Sequence, residues 1–157
     1  NQADQDYGKI FGRYYGGLVE EYCCEDAHYV LVVLGSVAGT TRIVVDQLRA
    51  KGKKVGLVKL RSYRPFPKEY FQSLGQRVQA VGVIDRDISF GYEGAVFSDV
   101  KAALYQPGAQ VKTINFIAGL SGRDITKENL TQMYEKLEAL VRGEKVSEIQ
   151  FTGLRWG

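Results

Sequence analysis

The chain has few of the residues that build metal and redox centres. It contains two cysteines, Cys23 and Cys24, and a single histidine, His28. A disulfide between adjacent cysteines would be strained, and two thiols are too few to hold an iron–sulfur cluster or a structural zinc ion. We therefore expect reduced thiols, as in a cytoplasmic protein, and no metal site. Because His28 precedes the first predicted core strand, no Ser-His-Asp or Cys-His arrangement can be assembled around it.

Long apolar runs and massed charges are also missing. No segment approaches the roughly 20 apolar residues that span a bilayer, and no charged-then-apolar leader is present, so no membrane partner is expected. Lysines and arginines are scattered and the net charge is only +3, which argues against nucleic acid as a partner. The sequence begins with Asn1 and has one methionine, Met133. We interpret the chain as a single domain, residues 1–157, that is a fragment of a longer polypeptide.

What the sequence does contain, from residue 28 onward, is an alternation of apolar strands and amphipathic helices. It predicts strands at residues 29–34, 55–60, 80–84 and 111–117, and favours a fifth, edge strand at 146–151. Helices are predicted between them, with Ser36 and Thr126 as N-caps. Alternation of this kind predicts right-handed crossovers and a mostly parallel sheet with helices on both faces. The expected fold is a three-layer α/β/α sandwich over about residues 28–157.

The segment before this core predicts a helix over about residues 9–23. Its apolar side chains recur at helical spacing from Ile10 to Tyr22. Glycines at steps of four, Gly8, Gly12 and Gly16, each cost a helix about 1 kcal/mol relative to alanine. Either these glycines let another backbone approach closely, or the helix is weak and frayed.

Two arginines and two aromatic rings lie on a stiff turn after the strand 55–60. Residues 60–67, the proline corner, read Leu-Arg-Ser-Tyr-Arg-Pro-Phe-Pro. The prolines end the strand because they cannot donate to a ladder. In an open α/β sheet, ligands and partners are met at the carboxyl ends of the strands. The corner is therefore either a braced connection to the next helix or a contact surface that includes Tyr63, Arg64 and Phe66.

A turn-rich segment after the strand 80–84 carries a cluster of acidic residues that includes Asp85, Asp87 and Glu93. Paired carboxylates can act as acid and base or hold Mg²⁺. With arginines at the same sheet edge, ion pairing and turn capping are favoured. The candidate interface residues in this turn are Asp85, Arg86, Asp87, Gly91 and Gly94.

A loop of small residues joins the strand 29–34 to its helix, at the position of many nucleotide-binding loops. Residues 35–41 read Gly-Ser-Val-Ala-Gly-Thr-Thr, which is neither the dinucleotide-binding glycine motif nor a phosphate-binding loop with its lysine. Free backbone amides at a helix N-terminus can still bind an anion, so Ser36, Gly39 and Thr40 are weak anion-site candidates. Small residues here equally permit tight strand–helix packing. A stand-alone nucleotide or coenzyme A binding module is the alternative function.

Several motifs occur together in a characteristic order. They are Leu-Val-Glu-Glu-Tyr at 18–22, Leu-Gly-Ser-Val-Ala-Gly-Thr at 34–40, Lys-Leu-Arg-Ser-Tyr-Arg-Pro-Phe-Pro at 59–67, Asp-Arg-Asp-Ile-Ser-Phe-Gly at 85–91 and Gly-Leu-Ser-Gly-Arg-Asp-Ile-Thr at 119–126. In order and spacing, and over nearly the whole chain, they resemble the carboxyl-terminal part of the alpha subunit of pyruvate:ferredoxin oxidoreductase. More distantly, the Leu-Arg strand end with its later proline is similar to transketolase and to the beta chains of 2-oxo acid dehydrogenases. That relation implies the transketolase carboxyl-terminal fold, a five-stranded mixed sheet with one antiparallel strand.

The resemblance implies a thiamine diphosphate enzyme that decarboxylates pyruvate or another 2-oxo acid. Such an enzyme passes electrons through iron–sulfur clusters to ferredoxin and delivers the acyl group to coenzyme A, so these groups and magnesium are implied for the parent enzyme. The family's cofactor-binding and cluster-binding sequences have no counterpart in this chain, for which no cofactor is expected. We expect a non-catalytic domain whose partners are other domains or subunits of the same oxidoreductase, with ferredoxin a partner of the whole enzyme. A transketolase-type sugar enzyme is disfavoured because the histidines it would use are missing.

Overall fold

A computed structural model describes residues 2–14, 16–106 and 108–153. The strands are β1 (Val19–Tyr22), β2 (Tyr29–Leu34), β3 (Val55–Leu60), β4 (Ala80–Asp85), β5 (Lys112–Ala118) and β6 (Ile149–Thr152). The helices are α1 (Gln2–Phe11), α2 (Val37–Arg49), α3 (Lys68–Gly75), α4 (Ala95–Leu104) and α5 (Lys127–Val141), with a short 3-10 turn at Leu120–Gly122. No helix among these described residues has the length and apolar character needed to cross a bilayer.

The six strands form one sheet in the order β1-β3-β2-β4-β5-β6. Strands β2 to β6 are parallel to their neighbours, whereas β1 runs antiparallel to β3, with Val19 opposite Leu60. Side chains of α2 and α5 pack on one face of the sheet and those of α3 and α4 on the other, so each face has its own apolar core. The predicted three-layer α/β/α sandwich is confirmed, with six strands instead of five.

The sixth strand comes from the segment that was expected to be helical, and the prediction of a helix over residues 9–23 is wrong. Helix α1 ends at Phe11, and Gly12, Gly16 and Gly17 all have positive φ, at 67°, 82° and 75°. Backbone in this left-handed region cannot continue a right-handed helix. Residues 19–22 instead pair with β3 along the edge of the sheet. Residue 15, inside that prediction, lies outside the described residues.

The remaining elements agree with the sequence pattern. The strands at 29–34 and 55–60 have the predicted bounds, and the edge strand begins at residue 149 instead of 146. Thr126 forms a capping box, in which its hydroxyl accepts from the Asn129 amide while the Asn129 side chain accepts from the Thr126 amide. Ser36 precedes α2 as predicted, but its side chain makes no capping hydrogen bond. Residue 107, before which a helix end was predicted, is outside the described residues.

The strand order creates a switch point between β2 and β4. The chain leaves β2 for α2 on one face of the sheet and leaves β4 for α4 on the other. Connections that diverge in this way leave a crevice at the carboxyl ends of the two strands, which is where open α/β sheets commonly bind ligands. The fold therefore makes the carboxyl edge of β2 and β4 the place where a binding site is expected.

Candidate interface at the carboxyl edge of the sheet

The carboxyl edge brings together segments that are far apart in the chain. Because β2 to β5 are parallel, the small-residue loop after β2, the proline corner after β3 and the turn after β4 all lie on this edge. We call residues 86–94, which join β4 to α4, the β4 loop. The proline corner contacts the first turn of α4, into which the β4 loop leads: Tyr63 Oη lies 3.2 Å from the carbonyl oxygen of Ala95.

Aromatic packing fixes the proline corner against the core. The Phe66 ring stacks on the buried Phe71 ring at 5.3 Å between centroids, and Tyr63 meets Phe66 edge-on at 6.2 Å. The Arg64 guanidinium lies over the Tyr63 ring, with Cζ 4.0 Å from its centroid, a cation–π geometry. The Arg64 side chain remains 62% exposed. The structure thus brings Tyr63, Arg64 and Phe66 together, and Arg64 lies on the outer side of the cluster.

Asp99 of α4 ties the corner in place. One of its oxygens lies 2.5 Å from Tyr63 Oη and 2.8 Å from a guanidinium nitrogen of Arg64. Burial acts to raise the pKa of Asp99, but the hydrogen bonds from Tyr63 and Arg64 outweigh it and hold that pKa below its usual value. Burial and the Asp99 hydrogen bond raise the pKa of Tyr63. Sequence analysis missed Asp99, although an acidic residue three positions after buried Val96 on an apolar helix was a usable signal.

Asp85 lies beneath the surface and not on it, and its role as an interface residue stays a prediction. It is only 2% exposed. Its carboxylate accepts hydrogen bonds from the amides of Val96 at 3.2 Å and Phe97 at 3.1 Å, in the first turn of α4, and from the side-chain amide of Asn115 at 2.9 Å. Asp85 therefore caps α4 from the end of β4, although the two are joined through a loop.

Gly94 is likewise buried and part of the same network, so it offers no side chain to a partner. Its amide donates to the Asn115 side-chain oxygen at 2.8 Å, and a methyl group at Gly94 would lie 2.2 Å from an Asp85 oxygen. Burial raises the pKa of Asp85, against the opposing effect of its hydrogen bonds. Asn115 is fully buried in β5, and sequence analysis did not single it out. A lone amide within an apolar strand was the signal available.

The third acidic residue of the cluster is also engaged. Glu93 is buried, accepts from the Ser98 hydroxyl at 2.9 Å and pairs with Lys101 at 3.4 Å. Asp87 is exposed. Glu93 is thus ion-paired with a lysine, where pairing with arginines was expected, and Asp85 caps helix α4. Within residues 2–14, 16–106 and 108–153, no group of three or more His, Cys, Asp or Glu side chains is arranged to hold a metal ion.

The outer part of the β4 loop presents large rings to solvent. Phe90 is fully exposed and Tyr92 is 63% exposed. A turn holds them there, with Gly91 at φ 67° and the Tyr92 amide donating to the Ser89 carbonyl at 3.0 Å. Arg86 is exposed in the same loop. Sequence analysis included these rings in the turn but did not name them as interface candidates.

The small-residue loop after β2 has an open environment. Gly35 has φ 72°, and the amides of Ala38 and Gly39 already make turn bonds to the carbonyls of Gly35 and Ser36. A methyl group at Gly39 would meet no atom within 4 Å. A nearby cleft of about 530 Å³ is lined by Gly35, Lys59 and Arg61, among others, but not by the candidates Ser36, Gly39 and Thr40. Their role as an anion site stays a prediction.

Solved structures define the class of domain. A 2-oxoglutarate:ferredoxin oxidoreductase from Magnetococcus marinus, with 2-oxoglutarate, coenzyme A and succinyl-CoA bound, is similar with a TM-score of 0.58 at 19% identity over 85% of this chain and 21% of that chain. A split-gene transketolase, an inactive beta4 tetramer, also gives 0.58, at 18% identity over 75% of this chain and 40% of that chain. At these identities the likeness establishes the fold, which is that of transketolase carboxyl-terminal-like domains.

The sequence identifies the family more closely. The model for pyruvate:ferredoxin oxidoreductase core domain II matches residues 27–130, and the chain belongs to this family. The pyruvate synthase subunit PorA of Methanosarcina barkeri is 39% identical over 152 residues, which are 96% of this chain and 38% of that protein. The ketoisovalerate oxidoreductase subunit VorA of Pyrococcus horikoshii is 38% identical over 96% of this chain and 39% of its own length. This chain therefore spans less than two fifths of the curated relatives it matches.

Proposed function

We propose that this chain is a non-catalytic structural and interface domain of a thiamine diphosphate-dependent 2-oxoacid:ferredoxin oxidoreductase. In the parent enzyme, pyruvate, coenzyme A and oxidised ferredoxin would give acetyl-CoA, CO₂ and reduced ferredoxin. Membership of the core domain II family supports this assignment. Relatives named for pyruvate and for ketoisovalerate leave other 2-oxo acids open as substrates. The partners of the domain would be other domains or subunits of the same cytoplasmic enzyme.

The observation that carries the proposal is the rigid aromatic surface at the carboxyl edge. Phe90 and Tyr92 project from the β4 loop, and Arg64 lies on Tyr63, which contacts the first turn of α4 that follows this loop. Exposed aromatic rings and arginine are the residues that most often anchor protein interfaces. Because Asp99 already holds Tyr63 and Arg64, little side-chain entropy would be lost when a partner binds.

Among the described residues, the buried thiol and the buried carboxylates do not fit the cofactors of the parent enzyme. The thiol of Cys24 is buried and donates to the Leu57 carbonyl at 3.2 Å, and burial raises its pKa to about 11. It is therefore poorly suited to bind a cluster as a thiolate. The buried carboxylates of Asp85 and Glu93 are taken up by the helix α4 network. We therefore assign thiamine diphosphate, magnesium, iron–sulfur clusters and coenzyme A to other parts of the parent enzyme.

The test replaces both exposed rings in the assembled oxidoreductase, as the double variant Phe90→Ser, Tyr92→Ser. Neither ring is needed by the domain's own core, so folding should be unaffected while subunit association weakens by about tenfold or more. Tyr105→Ser is the matched control, because Tyr105 is 85% exposed but follows α4 at the opposite edge of the sheet. Sedimentation analysis measures association, and turnover is measured on the enzyme that remains assembled.

Unchanged assembly combined with lost turnover would contradict the interface role and indicate a direct part in the chemistry.

The rival function, a coenzyme A or nucleotide module at residues 36–41, is tested by titrating this 157-residue chain with coenzyme A and adenine nucleotides. Micromolar binding that Ser36→Ala weakens would favour the rival.

A further inference from the structure

A cleft with two cationic residues in its lining lies at the carboxyl ends of β2 and β3. Its volume is about 530 Å³, within the range of about 300–1,000 Å³ that is usual for small-molecule sites. Lys59 and Arg61 are the charged residues of this lining, and no acidic side chain of the described ranges belongs to it. We call it the β3 cleft.

Arg61 is held in a fixed orientation that leaves one of its terminal nitrogens available. Its Nε, at 3.0 Å, and one terminal nitrogen donate to the same oxygen of Glu20. The other terminal nitrogen makes no hydrogen bond with a described residue, and a methyl group at Gly16 would lie 2.9 Å from it. Because Gly16 has no side chain and a φ of 82°, the turn before β1 passes close to the guanidinium without covering it.

Lys59 has no fixed counter-ion among the described residues. It is half-buried and lies opposite Glu20 in the β1–β3 ladder. Both oxygens of Glu20 are already taken, however, one by Arg61 and the other by Arg42. Lys59 itself makes no hydrogen bond or ion pair with any residue that the structure describes. A half-buried ammonium in this situation favours an anion supplied from outside the chain.

The other acidic residues of this region have different partners. Glu21 points to the opposite face of the sheet and pairs there with Arg77. Asp46 accepts from a tyrosine hydroxyl at 2.7 Å, and Asp4 accepts from the Gly16 amide at 3.2 Å. None of these three carboxylates lines the β3 cleft. Since Glu20 also balances Arg42, the two cationic residues of the lining form a site for about two negative charges.

We propose that the β3 cleft binds a small molecule that carries a phosphate monoester. Such a group has a charge of about −1.5 to −2 at neutral pH and three strong acceptor oxygens. The Lys59 ammonium supplies a point charge and the available side of the Arg61 guanidinium supplies directed donors. A carboxylate, with a single charge, would leave one of the two cations unmatched.

The organic part of the ligand has a wall to contact. Tyr14 lines the β3 cleft and is 66% exposed. Its ring is seated over α1, because a methyl group at Gly8 would lie 2.2 Å from it. An aromatic face in a fixed position beside two cations suits a ligand with a planar or apolar group next to its phosphate. This site is additional to the proposed interface and needs no partner subunit.

The experiment titrates the 157-residue chain with phenyl phosphate at neutral pH, followed by calorimetry. Benzoate, which has the same ring and one charge, is the control ligand. Phenyl phosphate should saturate with a Kd below about 1 mM, and benzoate should bind at least about tenfold more weakly. Lys59→Gln should weaken phenyl phosphate about tenfold, whereas Lys59→Arg should keep most of the affinity. Lys54→Gln, at an exposed lysine of the amino edge, is the matched control and should change nothing.

Amide NMR spectra of the same titration locate the ligand. Shifts should concentrate at Gly17, Gly35 and Ser62, and Ser36→Ala should leave the affinity unchanged, which separates this site from the rival module. No saturation, unchanged affinity in Lys59→Gln, or shifts centred on residues 36–40 would overturn the inference. Equal affinity for benzoate would also overturn it and would indicate an acidic protein segment as the occupant. Assembly of the Phe90, Tyr92 variant is measured separately, so the proposed function and this inference can fail independently.

Discussion

Two carboxylates of the same sheet are stabilised in opposite ways. Glu20, on the edge strand β1, lies between two arginines: Arg61 Nε is 3.0 Å from one oxygen, and Arg42 pairs with the other. The hydrogen bond from Arg61 lowers the pKa of Glu20, and the charges of both arginines add to the effect. Asp85, at the end of central strand β4, has neutral donors alone, and burial raises its pKa.

The difference shows what each carboxylate contributes. At the edge, cations favour the charged form, but water also solvates the group, so the pair adds little to stability. In the centre, backbone and amide dipoles hold a desolvated carboxylate, and removing it would leave several buried donors without acceptors. The same functional group is therefore dispensable at the edge and required at the centre.

Asp85→Ala should have the largest effect. It leaves the backbone amides of Val96 and Phe97 and the side-chain amide of Asn115 without a hydrogen-bond acceptor. The free energy of unfolding should therefore fall by roughly 3 kcal/mol. Urea denaturation of the 157-residue chain measures the change. Asp87→Ala, two residues later and exposed, is the control and should stay within about 0.5 kcal/mol. A loss below about 1 kcal/mol for Asp85→Ala would mean that water replaces the carboxylate.

Gly94→Ala tests the same centre without removing a hydrogen-bonding group. The φ of Gly94 is −67°, which alanine adopts freely, but its methyl group would lie 2.2 Å from an Asp85 oxygen. Overpacking of this kind should lower the free energy of unfolding by about 1–3 kcal/mol. Gly39→Ala is the matched control, since it lies in α2 facing open space and should be neutral or stabilise by up to about 1 kcal/mol. If Gly94→Ala and Gly39→Ala changed the free energy of unfolding equally, the loss at Gly94 would come from the backbone and not from contact of the methyl group with Asp85.

The central strands could be predicted from sequence because their apolar runs are continuous and bounded by turn residues. The edge strand could not. Residues 19–22 form a strand of only four residues, their apolar side chains happen to fit helical spacing, and pairing with β3 supplies the stability. Sequence carries no direct signal for such a partner. The positive φ values of Gly16 and Gly17 end any continuation of a helix before β1. A glycine in the sequence does not reveal whether its φ will be positive.

The proline corner of the candidate site could be predicted, because prolines and aromatic residues within one segment fix it. The Asp85 network could not, because backbone amides far along the chain fix it. Pro65 and Pro67 correctly indicated a rigid corner at the sheet edge. An aspartate after a strand normally indicates a turn, so Asp85 was placed on the surface. Its true acceptor role depends on amides eleven and twelve residues later, and only the tertiary fold brings them together. Asn115, polar within an apolar strand, was the one local indication of this network.

Glu20→Gln should show how little the edge contributes. Loss of the arginine pairs should lower the free energy of unfolding by less than about 1 kcal/mol at low salt, and by less again in high salt. The same urea titrations at low and high NaCl measure this. Glu25→Gln, an exposed neighbour, provides the control. A loss as large as that of Asp85→Ala would show that the arginine pairs determine the stability of β1.

The smallest effect, and the sharpest test of the comparison, is the pH dependence. For Glu20, whose pKa is lowered on folding, the stabilisation is complete above the unfolded-state value of about 4.3 and is lost as pH falls through the folded-state pKa. For Asp85, whose pKa is raised, the contribution is complete below about 3.9 and is lost as pH rises through the folded-state pKa. As the pH falls through about 4, the stabilisation by Glu20 is therefore lost while that by Asp85 is gained.

Unfolding free energies between about pH 3 and 7 separate the two contributions. On acidification, the difference between the parent and Glu20→Gln should shrink, whereas the parent should gain stability relative to Asp85→Asn. Asp87→Asn serves as the control and should follow the parent throughout. If both differences changed with the same sign, the hydrogen bonds to Asp85 would outweigh its burial, and the two carboxylates would differ in degree of exposure without differing in the sign of their pKa shift.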